Sequence, residues 1–303
     1  MVHDRSHIET EKSNPDSAQL DQMAVLDAVL LMNREDQRAV AAVGTESQAI
    51  AEAVEMAARA FRAGGRLIYV GAGTSGRLGI LDAAECPPTF SSDPGMVVGI
   101  IAGGVAAIQQ SIENVEDDRE AGARALREIG LTQRDVVVGI AAGGTTPFVH
   151  GAIAEAHSRG AGTIFLACTA REHICAEADL FICLTTGPEV LTGSTRLKAG
   201  TATKLVLNTI STLAMTRIGK VYGNIMVDLD CLKNRKLVDR GVRIITRLTG
   251  MERTEAMELL TRAGGQVKRA IVMHHQQCDA ATAQEILNNS DGFLHRAIGT
   301  SRP

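Results

Sequence analysis

The sequence predicts an α/β fold, a doubly wound and mainly parallel five-stranded sheet, and three observations predict it. Five short apolar runs, at 66–71, 96–101, 135–141, 162–168 and 180–185, have strand length and recur at α/β spacing. Helical patterns separate most of them, which implies right-handed βαβ crossovers with helices on both faces. Two of the runs end in glycine-rich turns, which lie at the carboxyl edge where such sheets bind ligands.

Residues 1 to about 17 read as a polar arm, and the patterns over 17–32 and 34–62 are helical, with Gly44 as the expected interruption. After the five strands a core helix is expected from 195 to 220, then a connector over 221–228 and a helix over 230–246. From Met251 the apolar spacing of Ala256, Leu259 and Leu260, broken at Gly264-Gly265 and Asp279, predicts a small three-helix appendage. The expected organisation is an N-terminal arm with helices over 1–62, the α/β domain over 63–228 and a C-terminal helical region over 229–303.

A chain of 303 residues can bury a large core, and 45% hydrophobic with 22% charged residues is an ordinary globular composition. Aromatics are only 3% and Trp is absent, which suits helices packed closely on a parallel sheet. A net charge of −4 without a basic stripe argues against a nucleic-acid partner. The polar N-terminus lacks the apolar core of an export signal, and the run 96–108 is too short and glycine-broken to span a bilayer. The six cysteines form no CxxC pair and are expected to be buried, reduced thiols; His173 near Cys168 and Cys175 matches no common metal spacing.

The richest stretch is RLIYVGAGTSGRLGILDAAECPP, residues 66–88. Leu67 to Val70 suit a strand buried on both faces, Gly71 and Gly73 allow a sharp turn, and Thr74 and Ser75 place hydroxyls where a helix starts. Unpaired N–H groups and the positive end of the dipole make that start a natural anion site. Pro87 and Pro88 are expected to stop the helix near Cys86, leaving Glu85 at its negative end, where a carboxylate is disfavoured and a proton donor is favoured. A plain βα turn with Glu85 solvated is the competing reading.

The loop GIAAGGTTP, 139–147, repeats the arrangement with Gly143, Gly144, Thr145 and Thr146 before Pro147, the threonines being placed to cap a helix and to bind an anion. Two such loops at one sheet edge favour the ligand. A third element, TGSTRLKAGTATK, sets Ser194 and Thr195 at a helix start near Arg196, Lys198 and Lys204, which suits a phosphate or carboxylate unless the cations form a solvated face. In the acidic run ENVEDDREAG, Glu113, Glu116 or Asp117, and Glu120 would share one helix face, and such crowding favours a shared proton. The alternative there is an ordinary exposed acidic helix, and the pattern does not choose among its five carboxylates.

GAGTSGRLGILDAAECPPTF, IAGG followed by ENVEDDRE, TGSTRLKAGTATKLVLN and GNIMVD together resemble the N-acetylmuramic acid 6-phosphate etherases, a bacterial family of the sugar isomerase (SIS) superfamily. The resemblance runs from Thr10-Glu11 to the C-terminal helices. It implies the SIS fold and a cytoplasmic homodimer in peptidoglycan amino-sugar recycling. The implied reaction cleaves the D-lactyl ether of N-acetylmuramic acid 6-phosphate, giving N-acetylglucosamine 6-phosphate and D-lactate by elimination and water addition, with no metal or redox cofactor.

By the same resemblance Glu85 is the proton donor and Glu116 the second catalytic glutamate. The residues that the three loops themselves offer for substrate binding are Gly73, Thr74, Ser75, Gly143, Gly144, Thr145, Thr146, Ser194, Thr195 and Lys198. The chain departs from related domains at Gly143, where an SGxT-like pattern usually sets a serine. That contact is expected to shift to backbone N–H groups and Thr146, with Ser75 and Ser194 as substitutes. A sugar-phosphate isomerase and a non-catalytic sugar-phosphate sensor are the rival functions for this fold.

Overall fold

A computed structural model describes residues 8–229, 231 and 235–299. The first seven residues of the expected arm, and positions 230 and 232–234 at the start of the expected helix 230–246, lie outside them. The chain forms two compact units, one built from residues up to Ala84 and from Pro94–Ser211, the other from Glu85–Asp93 and the residues from Thr212 onward.

The first unit opens with three 3-10 turns, Glu9–Glu11, Pro15–Ser17 and Leu20–Gln22, followed by α1 (Val25–Thr45) and α2 (Ser47–Arg62). The expected helix over 17–32 therefore begins only at Val25, and the break falls at Glu46 rather than after residue 32 or at Gly44. Burial explains the continuity: Leu31, Glu35, Ala39 and Ala42 repeat at helical spacing and carry α1 straight through the polar stretch between them.

The sheet comprises β1 (Leu67–Gly71), β2 (Val97–Ile101), β3 (Val136–Ile140), β4 (Gly162–Ala167) and β5 (Leu180–Cys183), all parallel, in the order β2-β1-β3-β4-β5. Between them run α3 (Gly73–Phe90), α4 (Ala106–Gln109), α5 (Arg119–Glu128) and α6 (Pro147–Ser158), and α7 (Lys198–Arg217) follows the last strand. Ile68, Val70, Val137 and Phe165 form one face of the core with Leu126, Val149 and Ile153 of α5 and α6. Buried Tyr69 donates to Asp82 Oδ2 at 2.9 Å, and Asp82 Oδ1 accepts from Asn208 Nδ2 at 2.7 Å and Ser211 Oγ at 3.1 Å, which ties β1, α3 and α7.

Helix α3 does not stop at Cys86. It continues through Pro87 and Pro88 to Phe90, so Glu85 is an interior helix residue rather than the terminal one. Each proline removes one backbone bond, but Ala83, Cys86 and Phe90 recur on one buried stripe and hold the last turns in place.

The second unit contains a two-stranded antiparallel hairpin, β6 (Val221–Tyr222) and β7 (Ile225–Met226), where a plain connector was expected. Helices α8 (Arg235–Thr249), α9 (Arg253–Arg262), α10 (Val267–Gln276), α11 (Ala280–Asn289) and α12 (Leu294–Ala297) follow. Four described helices thus lie beyond Met251, where three were expected. Val242, Ile245, Leu260, Ala270, Ile271 and Leu287 fill their common core. Of the cysteines, Cys86, Cys168 and Cys231 are buried as expected; Cys183 and Cys278 are only half-buried and Cys175 is exposed. Burial pushes the Cys168 thiol up to about 12, so it stays protonated.

Candidate active site

Strand β1 pairs with both β2 and β3, so the chain reverses direction across the sheet between them, and their carboxyl ends open a crevice. Glycine lets α3 start against that edge. A Cβ on Gly71 would stand 2.7 Å from the Gly76 nitrogen, one on Gly76 would stand 2.6 Å from the Ile101 side chain, and Gly73 adopts φ +52. The crevice holds a cleft of about 300 Å³ lined by Gly73, Thr74 and Ser75 after β1, Ser111, Glu113 and Glu116 after β2, Thr146 after β3, and Thr195.

The acidic run opens as a turn, not a helix. Helix α5 starts only at Arg119, Asp118 caps it by accepting from the Ala121 N–H at 2.9 Å, and Asn114 stands in the left-handed region at φ 63. The expected shared face of Glu113, Glu116 and Glu120 therefore does not form; Glu113 and Glu116 reach the cleft through the turn. The Glu116 carbonyl accepts from the Phe148 N–H at 2.9 Å, which fixes this turn to the start of α6. Helices α5 and α6 meet at van der Waals limits: a Cβ on Gly122 would lie 1.9 Å from the Phe148 oxygen, and one on Gly151 would lie 1.8 Å from the Arg119 oxygen.

In the second loop Gly144 has φ +75 and donates to the Ala141 carbonyl at 2.8 Å, while its own carbonyl accepts from His150 Nε2–H at 2.8 Å. Burial pushes the His150 pKa down, and the Arg119 charge adds to the fall against the opposing Gly144 contact, so the ring is neutral at pH 7. Thr146 is the N-cap of α6 with Pro147 behind it, yet its side chain makes no capping hydrogen bond and lines the cleft instead. Gly143, Gly144 and Thr145 shape the loop without lining the cleft.

The third element brings Thr195 to the cleft but not Ser194 or Lys198. Helix α7 starts at Lys198, three residues later than Thr195. Lys198 is buried, its Nζ donating to Glu35 Oε2 at 2.5 Å, and Glu189 accepts from the N–H groups of Lys198 and Ala199 at 2.9 and 3.0 Å. The lysine charge expected at the ligand is thus committed to the protein interior. Burial pushes the Glu189 pKa up, against the pull of those two N–H groups and of Lys198.

Glu85 does not line the cleft. It is exposed on the part of α3 that belongs to the second unit. Residues that sequence reasoning missed are Ser111, which lines the cleft, and Arg77, which donates to the carbonyls of Ile108 and Gln110 at 2.9 and 3.2 Å and holds the loop before the acidic turn. The GTSGRLG stretch carried a signal for Arg77; Ser111 had none. Among the described residues no group of three or more His, Cys, Asp and Glu is arranged for a metal, and no helix is long and apolar enough to cross a membrane.

Residues 49–157 match the glucokinase regulatory protein N-terminal SIS domain family. Proteins named N-acetylmuramic acid 6-phosphate etherase are similar over almost the full chain. The one from Crocosphaera subtropica is 52% identical over 98% of this chain and 97% of its own, and the one from Gloeobacter violaceus is 55% identical over 97% and 96%. Among solved structures, a phosphoheptose isomerase from Francisella tularensis matches with a TM-score of 0.50 at 18% identity, over 64% of this chain and 100% of its own, which shows the shared fold.

Proposed function

The chain belongs to the N-acetylmuramic acid 6-phosphate etherase family, and we propose that the strand-end cleft is where it splits the lactyl ether of that sugar phosphate. The observation that carries the reading is the meeting of two carboxylates, Glu113 and Glu116, with five hydroxyls, Thr74, Ser75, Ser111, Thr146 and Thr195, at the start of α3. Those hydroxyls and the first N–H groups of α3 suit a phosphate. Neither the isomerase nor the sensor reading is favoured, because relatives sharing half of the residues end to end carry the etherase name.

The chemistry assigns work to two carboxylates. With the sugar ring open, the C2 hydrogen is α to the C1 aldehyde. A base takes that proton, the electron pair forms the C2–C3 double bond, and the C3–oxygen bond breaks as the departing oxygen gains a proton, releasing D-lactate. Water then adds its hydroxyl to C3 and a proton to C2, giving N-acetylglucosamine 6-phosphate. We assign the ether-oxygen proton to Glu85 and the C2 proton or the incoming water to Glu116; Gly143, Gly144 and Thr145 hold the second loop, Ser194 and Lys198 position Thr195, and the site is cytoplasmic.

The exposed position of Glu85 supports a site completed by a second copy of the chain. Leu81, one turn before it, is 52% exposed, and α1 presents Val25, Leu26, Val29 and Leu30 at 50% exposure or more, a large apolar surface for a two-fold dimer. Glu85→Gln and Glu116→Gln are each expected to lower lactate release by about 10²–10⁴-fold with substrate binding kept. Mixing the two inactive variants and allowing subunits to exchange should restore about a quarter of the activity, since half of the dimers are mixed and each carries one intact site. No recovery in exchanged dimers would place both carboxylates in one chain. In heavy-oxygen water, label at C3 of the product sugar supports elimination and hydration, whereas label in lactate points to direct substitution.

A further inference from the structure

The second unit holds a cavity that shares no residue with the cleft. It measures about 360 Å³ and opens at the N-terminus of α10, with Lys268, Asp228, Gln284, Asn288 and Ser91 in its wall. Lys268 stands in the first turn of α10 and is only 8% exposed. A buried ammonium ordinarily requires a carboxylate of its own. Lys268 shares one: its Nζ is 3.5 Å from Asp228 Oδ2, and the same oxygen lies 2.8 Å from Lys220 Nζ. Among the described residues two cations face one anion, and a positive charge is left over.

The helix adds to that imbalance. The first turn of α10 contains no acidic residue, and its cap residue Gln266 makes no side-chain capping hydrogen bond, so the positive end of the dipole points at the same place. A lysine there has the wrong sign for a helix start. Burial pushes the Lys268 pKa down; Asp228 opposes this, and Lys220 drives it further down. Ser91 lies in the left-handed region at φ 47, and its carbonyl accepts from Lys220 at 3.5 Å. Gln284 Nε2 donates to Asn288 Oδ1 at 2.8 Å, which leaves the Asn288 N–H₂ group as a donor for a guest.

A purely structural cluster, with Asp228 tying the segment after β7 to α10, accounts for one ammonium but not for the second or for the space beside it. An oxyanion in the cavity answers all of these at once: it neutralises Lys268, accepts from the helix start and accepts from Asn288. We propose that this cavity is a second oxyanion site, taking either inorganic phosphate or the phosphate group of a sugar monoester.

The test is calorimetric titration of the full chain with inorganic phosphate and, separately, with N-acetylglucosamine 6-phosphate. Two sites per chain are expected. Asn288 is exposed, so Asn288→Asp is expected to fold, and it should weaken one site at least tenfold by placing a carboxylate in the wall; Lys268→Gln should weaken the same site. Thr146→Val should weaken only the other. Filling by inorganic phosphate identifies the free ion as sufficient, and filling by the sugar phosphate alone identifies the monoester as the guest. A single site lost in Asn288→Asp and kept in Thr146→Val upholds this site and overturns the phosphate grip of the cleft. A single site lost in Thr146→Val and untouched by Asn288→Asp overturns the proposal, as does the absence of binding.

Discussion

The two ends of the five-stranded sheet are built on opposite principles. At the amino end Arg66, Asp135 and Asp179 are all partnered. Asp135 Oδ1 accepts from the Arg66 N–H and Nε at 2.8 and 3.1 Å, Oδ2 accepts from Arg66 Nη2 and the Thr132 N–H at 2.8 Å, and two further guanidinium N–H groups donate to the carbonyls of Ile129 and Gly130. Asp179 does the same for β4, accepting from the Thr163 N–H and Oγ1 at 2.8 and 2.7 Å. At the carboxyl end, among the described residues, the hydroxyls of Thr74, Ser75, Thr146 and Thr195 have no protein hydrogen-bond partner and line a cleft with Glu116. One edge is closed on itself and holds the strands together. The other edge offers its polar groups to a guest, and close backbone packing, with hydrogen bonds from Arg77 and His150 to loop carbonyls, keeps it in shape.

That packing is the strongest place to break the comparison. Gly122 and Gly151 allow α5 and α6 to touch, and the same contact carries the Phe148 N–H to the Glu116 carbonyl. Gly151→Ala would set a methyl 1.8 Å from the Arg119 oxygen, and backbone cannot move aside as a flexible side chain can. We expect a loss of about 3–4 kcal/mol in denaturant unfolding, with kcat lowered in whatever protein remains folded. A stable, fully active variant would show that α5 and α6 are free to separate and that the open edge does not depend on their contact.

Much of this architecture could be read from the residues, and the failures have physical causes. The strands stood out because uninterrupted runs such as Leu67–Gly71 and Val136–Ile140 are buried on both faces, a pattern that needs no tertiary context. The end of α3 was misread because Pro87 and Pro88 are strong local stop signals, whereas the burial of Cys86 and Phe90 that overrides them is decided by packing. The acidic run was misread because a helical wheel can be drawn on any carboxylate-rich stretch, and the left-handed Asn114 that prevents the helix carries no periodic signal. Lys198 looked like a ligand contact because its partner Glu35 is 163 residues away in sequence. The order β2-β1-β3-β4-β5, which places the first and second loops side by side, is likewise a property of the assembled sheet.

The closed edge predicts acid sensitivity. Burial alone would push the Asp135 pKa up, but the hydrogen bonds from Arg66 and Thr132 and the Arg66 charge outweigh it and hold the carboxyl below the usual carboxylate range. Because the folded value is depressed, the stabilisation is present above the unfolded carboxylate pKa of about 3.9 and fades as pH falls through the folded value. Asp135→Asn is expected to cost about 2 kcal/mol at pH 7, with the gap to the parent closing below about pH 4 when unfolding is followed across pH. A gap that persists undiminished at pH 3 would mean that shape rather than charge sets this contact.

Thr146→Val tests the open edge with the smallest change. Valine keeps the β-branched shape and removes only the hydroxyl, and because Thr146 caps α6 without a side-chain hydrogen bond, no cap is lost. The melting temperature should therefore stay close to that of the parent, while KM for N-acetylmuramic acid 6-phosphate rises about tenfold, the weight of one hydrogen bond to a charged group, with kcat little changed. Asp135→Asn should do the reverse, lowering the melting temperature and leaving KM alone. If Thr146→Val instead unfolds the protein at lower temperature with KM unchanged, its hydroxyl belongs to the framework, and the division between a closed amino edge and an open carboxyl edge fails at the residue that most clearly expresses it.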